Sequence, residues 1–234
     1  YIMPFIIVGL GMNLHITTAL PVFFMFILYL IVSYKRFGIA KIVLSSLLFF
    51  VLSLPLLLWT LGNPTVGLFL PKEWWDIISV HFRHHLDPFA WSPFNWIRFV
   101  ALVIVFLLAL KYKPEDEKDK KIITFIAAIA ILSAAATFFY YLVPLSVLVT
   151  VQFWRSALFF GIFAKMYASN YILEMYKGNL GDKIAATGLA ASLFLSNFKG
   201  ILLFVILIVA LKFRKNLKIF YTLSILFLLM LFLS

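Results

Sequence analysis

Cysteine is absent from the 234 residues, which excludes disulfides and thiolate metal sites while leaving the redox compartment open. Charge is scarce as well: Asp, Glu, Lys and Arg make up 12% of the chain against 65% hydrophobic residues, with 27 Phe and a mean hydropathy of +1.08. A soluble fold of this composition lacks the polar surface to cover its core. The alternation of apolar and polar residues over segments of about ten that marks a transmembrane barrel is missing too. No phosphate-cradling Gly loop, nucleophile elbow or internal repeat occurs. Nothing resembles a cleavable signal peptide; the chain does not begin with Met and ends in an apolar run, and we expect it to be part of a longer protein.

What the sequence does hold is a series of apolar runs of the length that a hydrocarbon core about 30 Å thick demands of a helix. The fold class expected is all-α: a polytopic transmembrane helix bundle of about eight spans, one domain over residues 1–234, with an external interfacial helix. Spans are predicted at Ile16–Ser33, Ile42–Leu61, Ile97–Leu110, Ile122–Tyr141, Ser156–Met175, Ile184–Leu195, Ile201–Leu211 and Ile219–Leu233. The spans at Ile184 and Ile201 are short and separated only by Ser196, Asn197, Phe198, Lys199 and Gly200, so a re-entrant hairpin is the alternative to the two crossings expected. Small residues at Ala127, Ala130 and Ala134, and at Gly188 and Ser192, are expected to face neighbouring helices.

The net charge of +11 points to nucleic acid only until its placement is read. Basic residues cluster near 34–41 (Lys35, Arg36, Lys41), 111–121 (Lys111, Lys113, Lys118, Lys120, Lys121), 176–183 (Lys177, Lys183) and 212–218 (Lys212, Arg214, Lys215, Lys218). These fall at every second junction between apolar runs, as cytoplasmic loops of a serpentine plasma-membrane protein do, in a bacterium the inner membrane. No nucleic-acid partner is needed; membrane lipids are the expected surroundings. All six tryptophans and all four histidines then lie on the opposite, external side.

The external loop 62–96 concentrates the polar chemistry, for its stretch Pro71 to Trp96 holds three of the four histidines and four of the six tryptophans. Lys72 to His85 has helical spacing that puts Trp74, Ile77, Ile78, His81 and His85 on one side, which suits a helix lying in the membrane interface. His81 and His85 are spaced to share a metal, but H-x-x-H-H-x-D is not a metal signature and neither metal nor cofactor is assigned. Acid/base and phosphate chemistry fits better: His84, His85 and Asp87 are the catalytic candidates, and Arg83, Arg98 and His81 the binding candidates. Set against this is a solvated loop whose basic groups merely meet lipid headgroups. Arg155, in the segment Gln152 to Ser156 at the external start of the next helix pair, is a further phosphate ligand by position. Lys165, expected to be buried in a span, and His15, at the external rim, are further binding candidates, while Glu174 is expected to reach the cytoplasmic side with Lys177.

An interfacial helix after a pair of spans, the stretch FRHHLDPFAW at residues 82–91 and a later helix opened by Arg155 together resemble the membrane core of the GT-C superfamily of polyprenol-dependent glycosyltransferases. In that family a catalytic acid, often Asp or Asp-Glu, lies in the first external loop; no such acid is assigned in this sequence. The resemblance implies inverting sugar transfer from a polyprenyl-phosphate-linked donor, with Arg83, Arg155 and Arg98 on the phosphate and His84, His85 or Asp87 near the acceptor. The alternatives are an O-antigen ligase or polymerase-like enzyme, and a transporter or flippase with Lys165 as its midplane site. Sugar, lipid carrier and oligomeric state leave no mark in the sequence.

Overall fold

The computed structural model describes residues 2–63, 67, 69, 71–81, 83, 87–112, 116–142, 145–146, 151–194, 201, 205–206 and 208–209. Among them the chain is helical throughout, the one extended feature being a single β-bridge between Phe69 and Leu145. The helices are α1 (Met3–Met12), α2 (Ile16–Val32), α3 (Tyr34–Phe37), α4 (Ile39–Leu52), α5 (Leu54–Gly62), α6 (Lys72–His81), α7 (Pro93–Tyr112), α8 (Glu117–Leu142), α9 (Ala157–Tyr176) and α10 (Leu180–Phe194). Two short 3-10 turns, Pro88–Ala90 and Phe153–Ser156, complete the described backbone. The chain divides into two compact units, Tyr1–Ala90 with Asp116–Phe160, and Trp91–Glu115 with Gly161–Ser234.

Among the described residues, two helices are long and apolar enough to cross a membrane, α7 over Pro93–Lys111 and α8 over Glu117–Leu142. A third crossing exists if α4 and α5, bent by 57° at Ser53, form one broken span. Among the described residues, helices occupy six of the eight expected spans. Predicted Ile16–Ser33 is α2, 17 residues and ~26 Å long, and predicted Ile184–Leu195 is α10, 15 residues and ~22 Å long. Predicted Ser156–Met175 is α9, 20 residues whose apolar character Lys165, Asn170 and Glu174 dilute. The expected junction Ser196 to Gly200, most of the expected span Ile201–Leu211 and the span Ile219–Leu233 lie outside the described residues.

In the first unit the core is built on phenylalanine. Phe23 stacks on Phe49 with ring centroids 3.9 Å apart and meets Phe5 edge-on at 6.0 Å, tying α1, α2 and α4 together. Helices α2 and α8 run antiparallel. Phe26 and Tyr29 near the end of α2 pack on Phe125 near the start of α8, while Ile16, Leu20 and Phe24 pack on the cluster of Leu132, Ala136, Val151 and Phe153. The Lys121 ammonium lies 5.6–5.7 Å from the rings of Phe26, Tyr29 and Phe125, and Arg36 pairs with Glu117, so one end of the helix pair is polar and charged. His15 opens α2 at the other end, where α8 finishes in Tyr140 and Tyr141.

The small-residue stripe expected on α8 is on the wrong side. Ala128, Leu132 and Ala136 are buried, whereas Ala127, Ala130 and Ala134 are exposed, because Phe125 and Ile129 fix the inward face and the alanines one position away turn outward. In the second unit α7, α9 and α10 do meet through small side chains: Ala101, Val105 and Ala109, at four-residue spacing, share a core with Ala168, Tyr171, Ala185, Ala186 and Leu189. Ser192 is buried and donates to the Gly188 carbonyl at 2.8 Å.

Candidate functional site

The loop helix α6 docks onto the end of α8 through Trp75, whose ring lies 5.0 Å from that of Tyr140. This contact turns Ile78 partly inward and leaves Trp74, Ile77 and Val80 exposed, so the single apolar face expected from Trp74, Ile77, Ile78 and His81 is divided between the bundle and the outside. The physical reason is that Trp75, not Trp74, finds an aromatic partner on the bundle. His81 ends α6 and is exposed. His84 and His85 lie outside the described residues, and with them the pairing of His81 and His85.

Asp87 is the hub that follows. Its side chain is 1% exposed, and both oxygens are occupied: Oδ1 accepts from the Tyr141 hydroxyl at 2.8 Å and from the Phe89 amide at 2.9 Å, and Oδ2 accepts from Arg83 Nε at 3.3 Å. The Phe89 bond is that of an Asx turn, which is why an Asp stands immediately before the 3-10 turn Pro88–Ala90. The backbone joins the same knot, with the Asp87 amide donating to the Arg83 carbonyl at 2.8 Å. Arg83 is held by Nε alone and its side chain is 62% exposed, so the edge carrying its two terminal nitrogens is free among the described residues. Beside it the rings of Phe89 and Tyr141, 6.2 Å apart and both largely exposed, form an apolar shelf. One buried carboxylate thus orients a forked cation and an aromatic surface side by side.

Arg155 belongs to the same unit and the same end of the α2 and α8 pair. It is exposed on the turn Phe153–Ser156, which is pinned from below: Phe153 is buried against Leu132 and Ala136, the Trp154 indole N–H donates to Thr137 Oγ1 at 2.9 Å, and the Ser156 hydroxyl donates to the Phe153 carbonyl at 2.5 Å. Gln152 opens the turn with φ of 52°, a left-handed conformation uncommon outside glycine. His15 is exposed at the start of α2, its Nδ1 within 2.9 Å of the hydroxyls of Thr17 and Thr18.

Arg98 and Lys165 belong to the other unit. Arg98 is exposed in the second turn of α7. Lys165 is exposed and not buried as expected, since α9 turns a different face inward, through Phe160, Ala164, Ala168, Tyr171 and Met175. Glu174 and Lys177 do pair, at 2.6 Å. Among the described residues no three His, Asp or Glu side chains gather into a metal-sized cluster. Sequence reasoning missed Tyr141 and Trp75; the signal available for the first was a tyrosine at the end of an apolar span, where a hydroxyl needs a partner. No protein family, curated protein or solved structure matches the chain.

Proposed function

We propose that this chain is the membrane core of a glycosyltransferase-like enzyme of GT-C type, with about eight spans in a bacterial inner membrane and loop 62–96 on the external side, acting on a sugar linked to a lipid phosphate. The observation that carries the reading is the arrangement around Asp87: a guanidinium gripped at Nε presents its other edge outward, the geometry that receives two phosphate oxygens at once. The exposed rings of Phe89 and Tyr141 beside it supply an apolar surface for the ring or chain attached to that phosphate. Arg155, on its pinned turn, is the second cation, and His81, His84 and His85 are the titratable groups of the same loop.

In this reading Asp87 is a positioning residue, because its oxygens already hold Arg83, Tyr141 and Phe89. The exposed Trp74, Ile77 and Val80 of α6 rest in the acyl boundary, bringing Arg83 to headgroup depth. The test is transfer and binding with the full chain in liposomes that carry a polyprenyl-phosphate-linked sugar. Arg83→Gln and Arg155→Gln should each weaken binding about tenfold or more, the loss of one charge-assisted contact, and the uncharged polyprenol should not bind. Equal binding of phosphate-bearing and phosphate-free lipid, or indifference to both substitutions, overturns the reading.

A further inference from the structure

The bend between α4 and α5 is not simply a proline kink. In a continuous helix the Leu52 carbonyl would accept from the Leu56 amide. Here that bond is open and the Asn13 carboxamide stands inside it: Asn13 Nδ2 donates to the Leu52 carbonyl at 2.7 Å, and the Leu56 amide donates to Asn13 Oδ1 at 3.0 Å. The approach depends on Gly9, one turn earlier in α1, where a Cβ would fall 2.9 Å from Leu52 Cβ and 3.0 Å from the Phe49 carbonyl oxygen. Ser53, fully buried at the break, turns its hydroxyl back to the Phe49 carbonyl at 2.7 Å. Pro55 removes one more amide from the ladder but supplies no partner for Leu52 or Leu56.

Within a membrane span, backbone groups left without partners are costly, and a break survives only where something satisfies them. We propose that Asn13 splices the broken span: its side chain substitutes for the missing peptide bond partner, holds α4 and α5 at 57°, and so positions α5. This rests on the geometry of α1, α4 and α5 and is independent of the functional reading. It makes Asn13, and not Pro55, the residue that maintains the bend.

The experiment reads the bend directly. The chain has no cysteine, so spin labels can be placed at Ile39→Cys and Leu61→Cys alone, both exposed. With ~1.5 Å rise per residue and a 57° bend at Ser53, the backbone separation is about 29 Å; a straight helix gives about 33 Å. Pro55→Ala alone should stay near the shorter value, because the Asn13 carboxamide still fills the gap. Asn13→Ala combined with Pro55→Ala should lengthen it to near the straight value, as the Leu52 carbonyl and Leu56 amide bond to each other. A straight span in Pro55→Ala alone, or an unchanged bend in the double variant, overturns the proposal; should the double variant fail to fold, the Pro55→Ala distance decides by itself.

Discussion

Replacing Asp87 by Ala should open the turn at Pro88–Ala90 without unfolding the bundle. The magnitude follows from the three bonds its oxygens accept. The Phe89 amide, partly buried at 2.9 Å, loses a hydrogen bond to a carboxylate, ~1.5–3 kcal/mol. The Tyr141 hydroxyl bond at 2.8 Å is shorter, but Tyr141 is 55% exposed and water replaces the partner, leaving about 1 kcal/mol. Arg83 adds at most a few tenths, since it is 62% exposed and screened by solvent. The sum is roughly 3 kcal/mol, on the order of a hundredfold in the local opening equilibrium. Asp87→Asn should cost less, about tenfold, because an amide oxygen can still accept from Phe89 while its nitrogen faces the Arg83 donor unfavourably. Hydrogen exchange of a peptide covering residues 87–92, in nanodiscs, reads this, with a peptide from the middle of α8 as the unaffected control. Wild-type protection of that turn in Asp87→Ala would show that the carboxylate does not hold the loop, and would remove the physical basis for an oriented Arg83.

Other substitutions probe the bundle and the competing transport reading. Gly9→Ala forces a Cβ against Leu52 and the Phe49 carbonyl, and the overpacking should cost about 1–3 kcal/mol, seen as a Tm several degrees lower. Lys121→Met keeps the volume but removes the ammonium from the rings of Phe26, Tyr29 and Phe125; a loss of about 1 kcal/mol is expected, largely restored by Lys121→Arg. Lys165→Ala should change the unfolding free energy by less than ~0.5 kcal/mol, its side chain being exposed, and should affect substrate turnover less than Arg155→Ala. A flux assay in which Lys165→Ala is the damaging change and Arg155→Ala is silent would favour a transporter.

The helices were legible because hydropathy of this strength leaves few alternatives, and six expected spans coincide with described helices to within a few residues at most ends. Less legible was everything set by partners distant in sequence. Composition marked Ala127, Ala130 and Ala134 as a packing stripe, but the inward face of α8 is chosen by Phe125 and Ile129 against α2. The break at Ser53 was hidden inside one apolar run, because Asn13, 39 residues before Leu52, is what accommodates it. The loop helix was correctly placed from Lys72, yet Trp74 and Trp75 look alike in sequence and only Trp75 meets Tyr140. The sequence singles out Asp87 as a candidate; that it binds Tyr141, 54 positions away, required the fold. Lys165 looked buried because a charge in an apolar helix usually faces a bundle interior, whereas the alanines of α9 made the other face the better packing surface.

The proposed site requires that α8 cross the membrane, with the Arg36 and Glu117 pair at one end and the Tyr141 and Asp87 bond at the other. Because the chain lacks cysteine, two single substitutions at exposed positions, Lys72→Cys in the loop helix and Lys118→Cys at the start of α8, test this with a membrane-impermeant maleimide. Lys72→Cys should be labelled in intact cells and Lys118→Cys only after permeabilisation. Labelling of both from the same side would contradict it.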